Sequence, residues 1–352
     1  MDPQDFNFPY TATDLTEQVN RIPNSFGLLR AMGLFDTEGV ISTLVEIRLE
    51  DGILRVLPAK ERGAPGTPAG REKGKTIFME VPHFPHDDLI TPQDIQNLMI
   101  LVGRAKRPAT LDDEMVKRLA NIRNNHDITL EYLRMCALKG ELRDGNGVLL
   151  YDLYEVFGRT KKTVYFDLAN PNTDIISKCD EVFGHVADNL RGETMSGVEV
   201  LVSREFINTF IQHPKVEKFW LGHQEGIQAI ARAERERLGG QWGRVFEFHS
   251  ILFREYYGSA PVRNANNEVV NERFIAPGMG HGYPIGTMDT FKTWFAPADD
   301  VRFVNTIGEE IYISPEILKH GKGIELHSES NPLVVPKRPE VMVEISASAG
   351  PN

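Results

Sequence analysis

Several stretches of this 352-residue chain carry residue types that could do chemistry. His83 and His86 could offer two metal ligands, but Pro82 and Pro85 break the helix such a pair needs, and no third ligand is evident; the pair reads as a surface loop. Gly278-Met279-Gly280-His281-Gly282 has the glycine content of a phosphate cradle. It fits neither the G-x-G-x-x-G spacing between strand and helix nor the P-loop spacing, and reads as a turn-rich segment. Gly158-Arg159-Thr160-Lys161-Lys162-Thr163 is basic but lacks the second glycine of a Walker motif. No G-x-S-x-G occurs, and the histidines near serines follow no recognisable partner order. The two cysteines, Cys136 and Cys179, have no C-x-x-C spacing and read as buried small apolar residues. No catalytic, cofactor-binding or metal-binding residue is assigned.

The elements that would position any site are more informative. Thr110 to Gly140 contains no proline and no interior glycine. Thr110 suits an N-cap, Asp112, Asp113 and Glu114 suit the positive end of the helix dipole, and Gly140 is a natural stop after Lys139. Met115, Leu119, Ile122, Leu130, Leu133 and Ala137 form one apolar stripe. Such a helix is roughly 44 Å long, better suited to a strut between lobes than to one layer of a compact core. Before it, residues 1–36 read as a polar arm with weak helical patches at 14–19 and 26–34, which finishes folding on something else.

Leu44 to Glu50 alternates apolar and charged residues, Asp51-Gly52 signals a hairpin turn, and Ile53 to Leu57 reads as a returning strand. Pro58 to Thr76 is rich in Pro and Gly and locally basic through Lys60, Arg62, Arg71, Lys73 and Lys75, and residues 76–81 return as a strand. A β-arm with a basic tip results, the tip being either a solvated loop or a contact surface. A short helix starts at Thr91-Pro92. Residues 148–151 and 162–166 read as partner strands, 174–190 as a helix, and a second lobe begins near Gly192. It contains a strand at 198–202, a helix capped by Ser203, a helix at 226–238, strands at 244–248 and 251–254, and a turn at 264–267. Strands at 321–327 and 340–345, divided by a Pro-rich crossing, complete a mixed α+β chain.

Composition bounds the function. The chain is 41% hydrophobic and 25% charged, ordinary for a globular protein, and is long enough for two or three lobes. A formal charge of −11 argues against a surface built to grip nucleic acid. MDPQDFNFPY has neither the basic nor the apolar region of a signal peptide, and no apolar run reaches the roughly 20 residues of a membrane span, so an aqueous, reducing compartment is expected.

The last third carries residue-level motifs: Phe291-Lys-Thr-Trp-Phe-Ala-Pro-Ala-Asp299, Val304-Asn-Thr-Ile-Gly308, Gly321-Lys-Gly-Ile-Glu-Leu-His-Ser-Glu-Ser-Asn-Pro-Leu333 and Arg338-Pro-Glu-Val-Met-Val343. Their order resembles the major capsid proteins of lambda-type tailed bacteriophages, the head protein E family. The resemblance implies a Hong Kong 97-type fold: an N-terminal arm (1–36), an extended β-loop (37–85), a peripheral domain with a spine helix (86–185 with 310–352) and an axial domain (186–309). It implies a virion protein made in host cytoplasm, assembled as hexamers and pentamers into an icosahedral head around double-stranded DNA held without specific binding. A portal protein and a separate scaffolding protein are implied as partners, because no scaffold-like helical segment precedes the β-arm. A decoration protein remains possible, since no lysine–asparagine crosslinking pair can be assigned.

Under that resemblance Lys60, Arg62, Arg71, Lys73 and Lys75 meet an acidic neighbouring subunit. Asn124, Asn125, His126 and Asp127, poor helix formers, are the bending point of the spine helix during shell expansion. Phe291, Trp294 and Phe295 fill a core. No cofactor and no enzymatic activity are expected. The alternatives are an encapsulin-like compartment shell and, more weakly, an enzyme whose site is unrecognised.

Overall fold

The computed structural model describes residues 9–22, 27–49, 75–96, 99–102, 105–108, 110–222, 243–263 and 268–351. The expected strand at 53–57, helix at 226–238 and turn at 264–267 lie outside the described residues, as do Lys60, Arg62, Arg71 and Lys73.

One uninterrupted α-helix runs Leu111–Lys139, 29 residues. Its start is a reciprocal capping box: the Asp113 amide donates to Thr110 Oγ1 at 3.4 Å, and the Thr110 amide donates to Asp113 Oδ2 at 2.8 Å. Gly140, at φ +89°, closes it in the left-handed region. An added Cβ there would lie 2.0 Å from the Tyr154 ring. The expected single apolar stripe holds only for the first half. From Leu130 to Leu138 every residue is buried, Glu131 and Arg134 included, because other elements surround the helix on all sides.

Part of what surrounds it is the N-terminal segment. Helix Ala12–Arg21, with its own Thr11–Asp14 capping box, places fully buried Leu15 and Val19 with Met115, Leu119 and Ile122 of the long helix and Ile311, Ile313, Ile324 and Leu326. Helix Leu28–Met32 buries Leu28 and Leu29 completely in the central core. Residues 12–22 and 27–36 therefore pack on their own chain, where an extended arm was expected. The segment's apolar residues are too few for an independent core, and they complete one made by distant strands.

The largest sheet has six strands in the order Val245–Phe248, Ile251–Glu255, Gly197–Val202, Met279–Ile285, Val343–Ser346, Lys162–Tyr165. Phe206, Phe210, Phe246 and Phe253 pack one core around it. Of the glycine-rich 278–282 stretch only Gly278, at φ +72°, is in a turn, and 279–282 is part of a central strand: an added Cβ at Gly280 would lie 2.8 Å from Val202 Cγ1 and 2.9 Å from both Ile345 Cγ1 and the Leu201 carbonyl. Glycine there permits close approach of neighbours. Lys162–Tyr165 pairs in parallel with Val343–Ser346, whereas Leu149–Asp152 folds back on Glu141–Arg143; the expected pairing of the two is replaced.

Two three-stranded sheets follow: Tyr312–Ile317, Ile324–Ser330 and Phe84–Ile90; and Asp36–Gly39, Phe291–Phe295 and Pro332–Pro336. The expected Pro-rich crossing is therefore itself a strand, with its prolines at the two ends. Phe291, Trp294 and Phe295 are all buried in the central core. Ladders cross the expected lobe boundaries, since 162–165 and 343–346 share a sheet with 197–202, and 332–336 pairs with 291–295. Among the described residues there are also four two-stranded ribbons, one of them Leu44–Leu49 with Lys75–Glu80.

Candidate functional site

The longest element carries the densest polar chemistry. Arg123 is almost wholly buried, and its guanidinium reaches three ways: Nε to Asp127 Oδ2 at 3.1 Å, one terminal nitrogen to Glu310 Oε2 at 2.7 Å, the other to Asn20 Oδ1 at 3.4 Å. Arg30, from the N-terminal segment, grips the Glu310 carboxylate in a two-oxygen fork at 3.0 Å and lies 3.8 Å from Asp127. One turn on, Glu131 Oε1 accepts from the Leu29 amide at 2.9 Å and from the Tyr256 hydroxyl at 2.8 Å. Three chain segments far apart in sequence meet here through three cations (Arg30, Arg123, Arg134) and three carboxylates (Asp127, Glu131, Glu310). The cluster is charge-balanced.

Burial raises the Asp127 pKa to about 6 despite Arg123 and Arg30. Burial also pushes Glu131 up. For Glu310 burial acts upward too, but Arg30 and Arg123 outweigh it and hold the carboxyl below its ordinary range. His126, buried beside His86 and Arg123, is held neutral with a pKa near 3, its Nε2 3.2 Å from Ser328 Oγ. Ser328 in turn donates to the His86 carbonyl at 2.7 Å. A hydroxyl that is buried and already donating to a backbone oxygen is a structural link and no nucleophile.

Of the expected bending point, His126 and Asp127 are buried and anchored, and Asn125 is exposed with its amide 3.2 Å from His86 Nε2. Asn124, half-buried, lies between them in the helix. Sequence reading missed the partners Arg30, Arg123, Glu131 and Glu310. The one available signal was the i,i+4 spacing of Arg123 and Asp127.

The second candidate surface is the ribbon of Leu44–Leu49 and Lys75–Glu80. Val45, Ile47, Ile77 and Met79 bury one face in the central core, while Leu44 and Phe78 on the other are 50% and 61% exposed. Lys75 closes the described ribbon opposite Leu49. The other four basic residues proposed to work with it are beyond the described part. Further exposed apolar residues, Val301, Val304 and Ile307, sit on the turns between the strand Phe291–Phe295 and Tyr312–Ile317. Gly308 fixes the end of that segment: its amide donates to the Val40 carbonyl at 2.9 Å, and a Cβ would fall 1.9 Å from the Phe295 carbonyl oxygen. His83 pairs with Asn331 at 2.9 Å and Glu329 at 3.2 Å, away from His86. Among the described residues no group of three or more His, Cys, Asp or Glu could hold a metal, and no helix is long and apolar enough to cross a membrane.

A sequence profile of phage major capsid protein E matches residues 11–347. The chain belongs to that family. It is 31% identical to the major capsid protein of Salmonella phage Felix O1, over 96% of both chains, and 33% identical to that of Pseudomonas phage KPP10, over 97% of both. A chain from a prophage of Escherichia coli CFT073 superposes with a TM-score of 0.60 at 14% identity, over 97% of this chain and 99% of its own. A phage-related protein of Bordetella bronchiseptica RB50 gives 0.53 at 11% identity, over 98% and 100%. The capsid chain thus has the Hong Kong 97-type α+β fold, and its role in the phage head is structural. The encapsulin-like alternative is not favoured, since the family and the curated relatives are phage capsid proteins.

Proposed function

We propose that copies of this chain assemble as hexamers and pentamers into an icosahedral phage head that encloses double-stranded DNA. The observation carrying the reading is the long helix together with an exposed ribbon whose outer face holds Leu44 and Phe78 in solvent. Apolar side chains so placed have no use in a lone subunit and gain from cover by a neighbour. The β-loop (37–85) lies over the adjacent subunit, and Lys60, Arg62, Arg71, Lys73 and Lys75 meet acidic surface there in a salt-sensitive contact. The net charge of −11 suits an inner wall that holds DNA without fixing it.

The peripheral domain comprises 86–185 and 310–352 and the axial domain 186–309. The pairings of 343–346 with 279–282 and of 332–336 with 291–295 support a hydrogen-bonded link between the two. Asn124 to Asp127 is where the spine helix bends as the shell expands, with the Arg123–Glu310 contacts moving alongside. Scaffolding and portal proteins guide assembly in host cytoplasm, and a decoration protein can bind the finished shell. Electron microscopy of the expressed protein tests this. Round shells of tens of nanometres are expected, and a chain that stays monomeric even with its scaffold refutes the reading. Replacing Lys60, Arg62, Arg71 and Lys73 by Glu should lower shell yield; unchanged yield would exclude the basic tip from the contact.

A further inference from the structure

The ribbon of Ser259–Arg263 and Val269–Arg273 has an open edge. All five residues of Val269–Arg273 are exposed, and Val269 (65%) and Val270 (48%) point to opposite faces, so solvent reaches both sides of the strand. The direction of its hydrogen bonds follows from the partner strand. The Arg263 amide donates away from the ribbon, to the Gly145 carbonyl at 2.9 Å, and Pro261 has no N–H at all. Since direction alternates along an antiparallel ladder, Ala260 and Val262 are the residues that exchange hydrogen bonds with Glu272 and Val270. The backbone groups of Val269, Asn271 and Arg273 therefore aim outward. None of these three amides donates to a described residue.

That edge leads into a cleft of 430 Å³. Glu272 and Arg273 line it together with Lys139, Glu141, Lys161, Glu344, Met279 and His281. His281 is 95% buried by its 5% exposure, yet its imidazole bonds no described residue. Burial and the nearby Lys139 and Lys161 keep it neutral, with one nitrogen able to donate and the other to accept. Lys161 is taken up by Glu344 at 2.5 Å and Arg273 by Glu205 at 2.9 Å, which leaves Lys139 as the lining cation without an ion pair among the described residues. An imidazole whose nitrogens open to a cleft beside an unpaired strand suits a ligand with backbone-like donors and acceptors.

We propose that the open edge of Val269–Arg273 and the adjoining cleft form one docking track for an extended segment of a second copy of this chain, added to the ribbon as a third strand. The inference rests on the shell reading, which supplies the second copy. The docked strand hydrogen-bonds to Val269, Asn271 and Arg273, packs on the two valines, and runs past Glu272 into the cleft. There a carboxylate on it meets Lys139, and its polar groups reach the His281 imidazole. The edge is short and carries Glu272 and Arg273, features that discourage pairing with unrelated strands while allowing one matched in charge.

Hydrogen exchange on wild-type shells and on unassembled subunits tests the track directly. Amides in 268–274 should be protected in shells and fast in subunits; equal exchange in both overturns the proposal. Asn271→Pro removes one outward donor and no ribbon hydrogen bond, and should leave subunit melting unchanged while lowering shell yield roughly tenfold, the factor that a lost bond of about 1.4 kcal/mol gives. Val269→Lys, at an exposed position, serves if the proline variant does not fold. Normal yield from both variants overturns the track while leaving the shell reading intact, whereas no shells from the wild type even with scaffold removes both. A photo-crosslinker in place of Glu272 should join two copies of the chain, and crosslinking only to a different protein overturns the identity of the occupant.

Discussion

Replacing Arg123 by Met separates the contribution of the buried cluster from that of the apolar packing around it. The substitution keeps most of the side-chain length but removes the charge that faces Asp127, Glu310 and Asn20. Glu310 keeps the Arg30 fork, whereas Asp127 keeps only Arg30 at 3.8 Å. Breaking one side of a buried pair costs about 3–5 kcal/mol, a large part of the roughly 5–15 kcal/mol that holds a domain together. The pH dependence identifies the cause. Asp127 already has its folded pKa raised from 3.8 to about 6 by burial, so its contribution to stability is full below the unfolded value and is lost as pH rises through about 6. Removing Arg123 takes away a group that lowers this pKa and drives it higher. Each pKa unit of that further rise adds about 1.4 kcal/mol to the penalty at pH 8 relative to pH 5. Urea unfolding of unassembled Arg123→Met and wild-type subunits at both pH values should therefore show the smaller difference at pH 5. An equal loss at both pH values would refute an orphaned Asp127 carboxylate and point to lost packing alone.

Gly280→Ala should destabilise the subunit by about 1–3 kcal/mol, read as a lower melting temperature, because the added methyl meets Val202, Ile345 and a backbone carbonyl inside 3 Å; an unchanged melt would mean that the sheet relaxes without cost. Phe78→Ser should leave subunit stability within about 0.5 kcal/mol, as the side chain is mostly exposed, while shell yield in light scattering falls. A loss of stability equal to that of a core substitution would place Phe78 in the fold and remove it from the contact.

Much of the architecture was readable because it is encoded locally. The long helix announces itself by its capping box, its unbroken helix formers and its terminal glycine, and the structure places its ends at Leu111 and Lys139. The ribbon strand at 44–49 follows from strict alternation, and the buried Cys136, Cys179 and Phe291 follow from residue type. The strand from Met279 was hidden because glycines that admit Val202 and Ile345 look in sequence like glycines of a turn. Pro332–Pro336 was hidden because prolines at its two ends mask the strand between them.

What the sequence by itself determined is the α+β class, the extent of the long helix, and, through the 291–343 motifs, the capsid family. Only the tertiary structure decided that 12–22 and 27–36 pack back on the chain, that 162–165 belongs beside 343–346, and that Arg30, Arg123, Asp127, Glu131 and Glu310 share one buried cluster. The physical reason is range. Caps, periodicity and turn residues act within a few residues, so one stretch of sequence displays them. A salt bridge between Arg123 and Glu310 spans 187 positions, and nothing along the chain marks either residue as the other's partner until the fold has brought them to 2.7 Å.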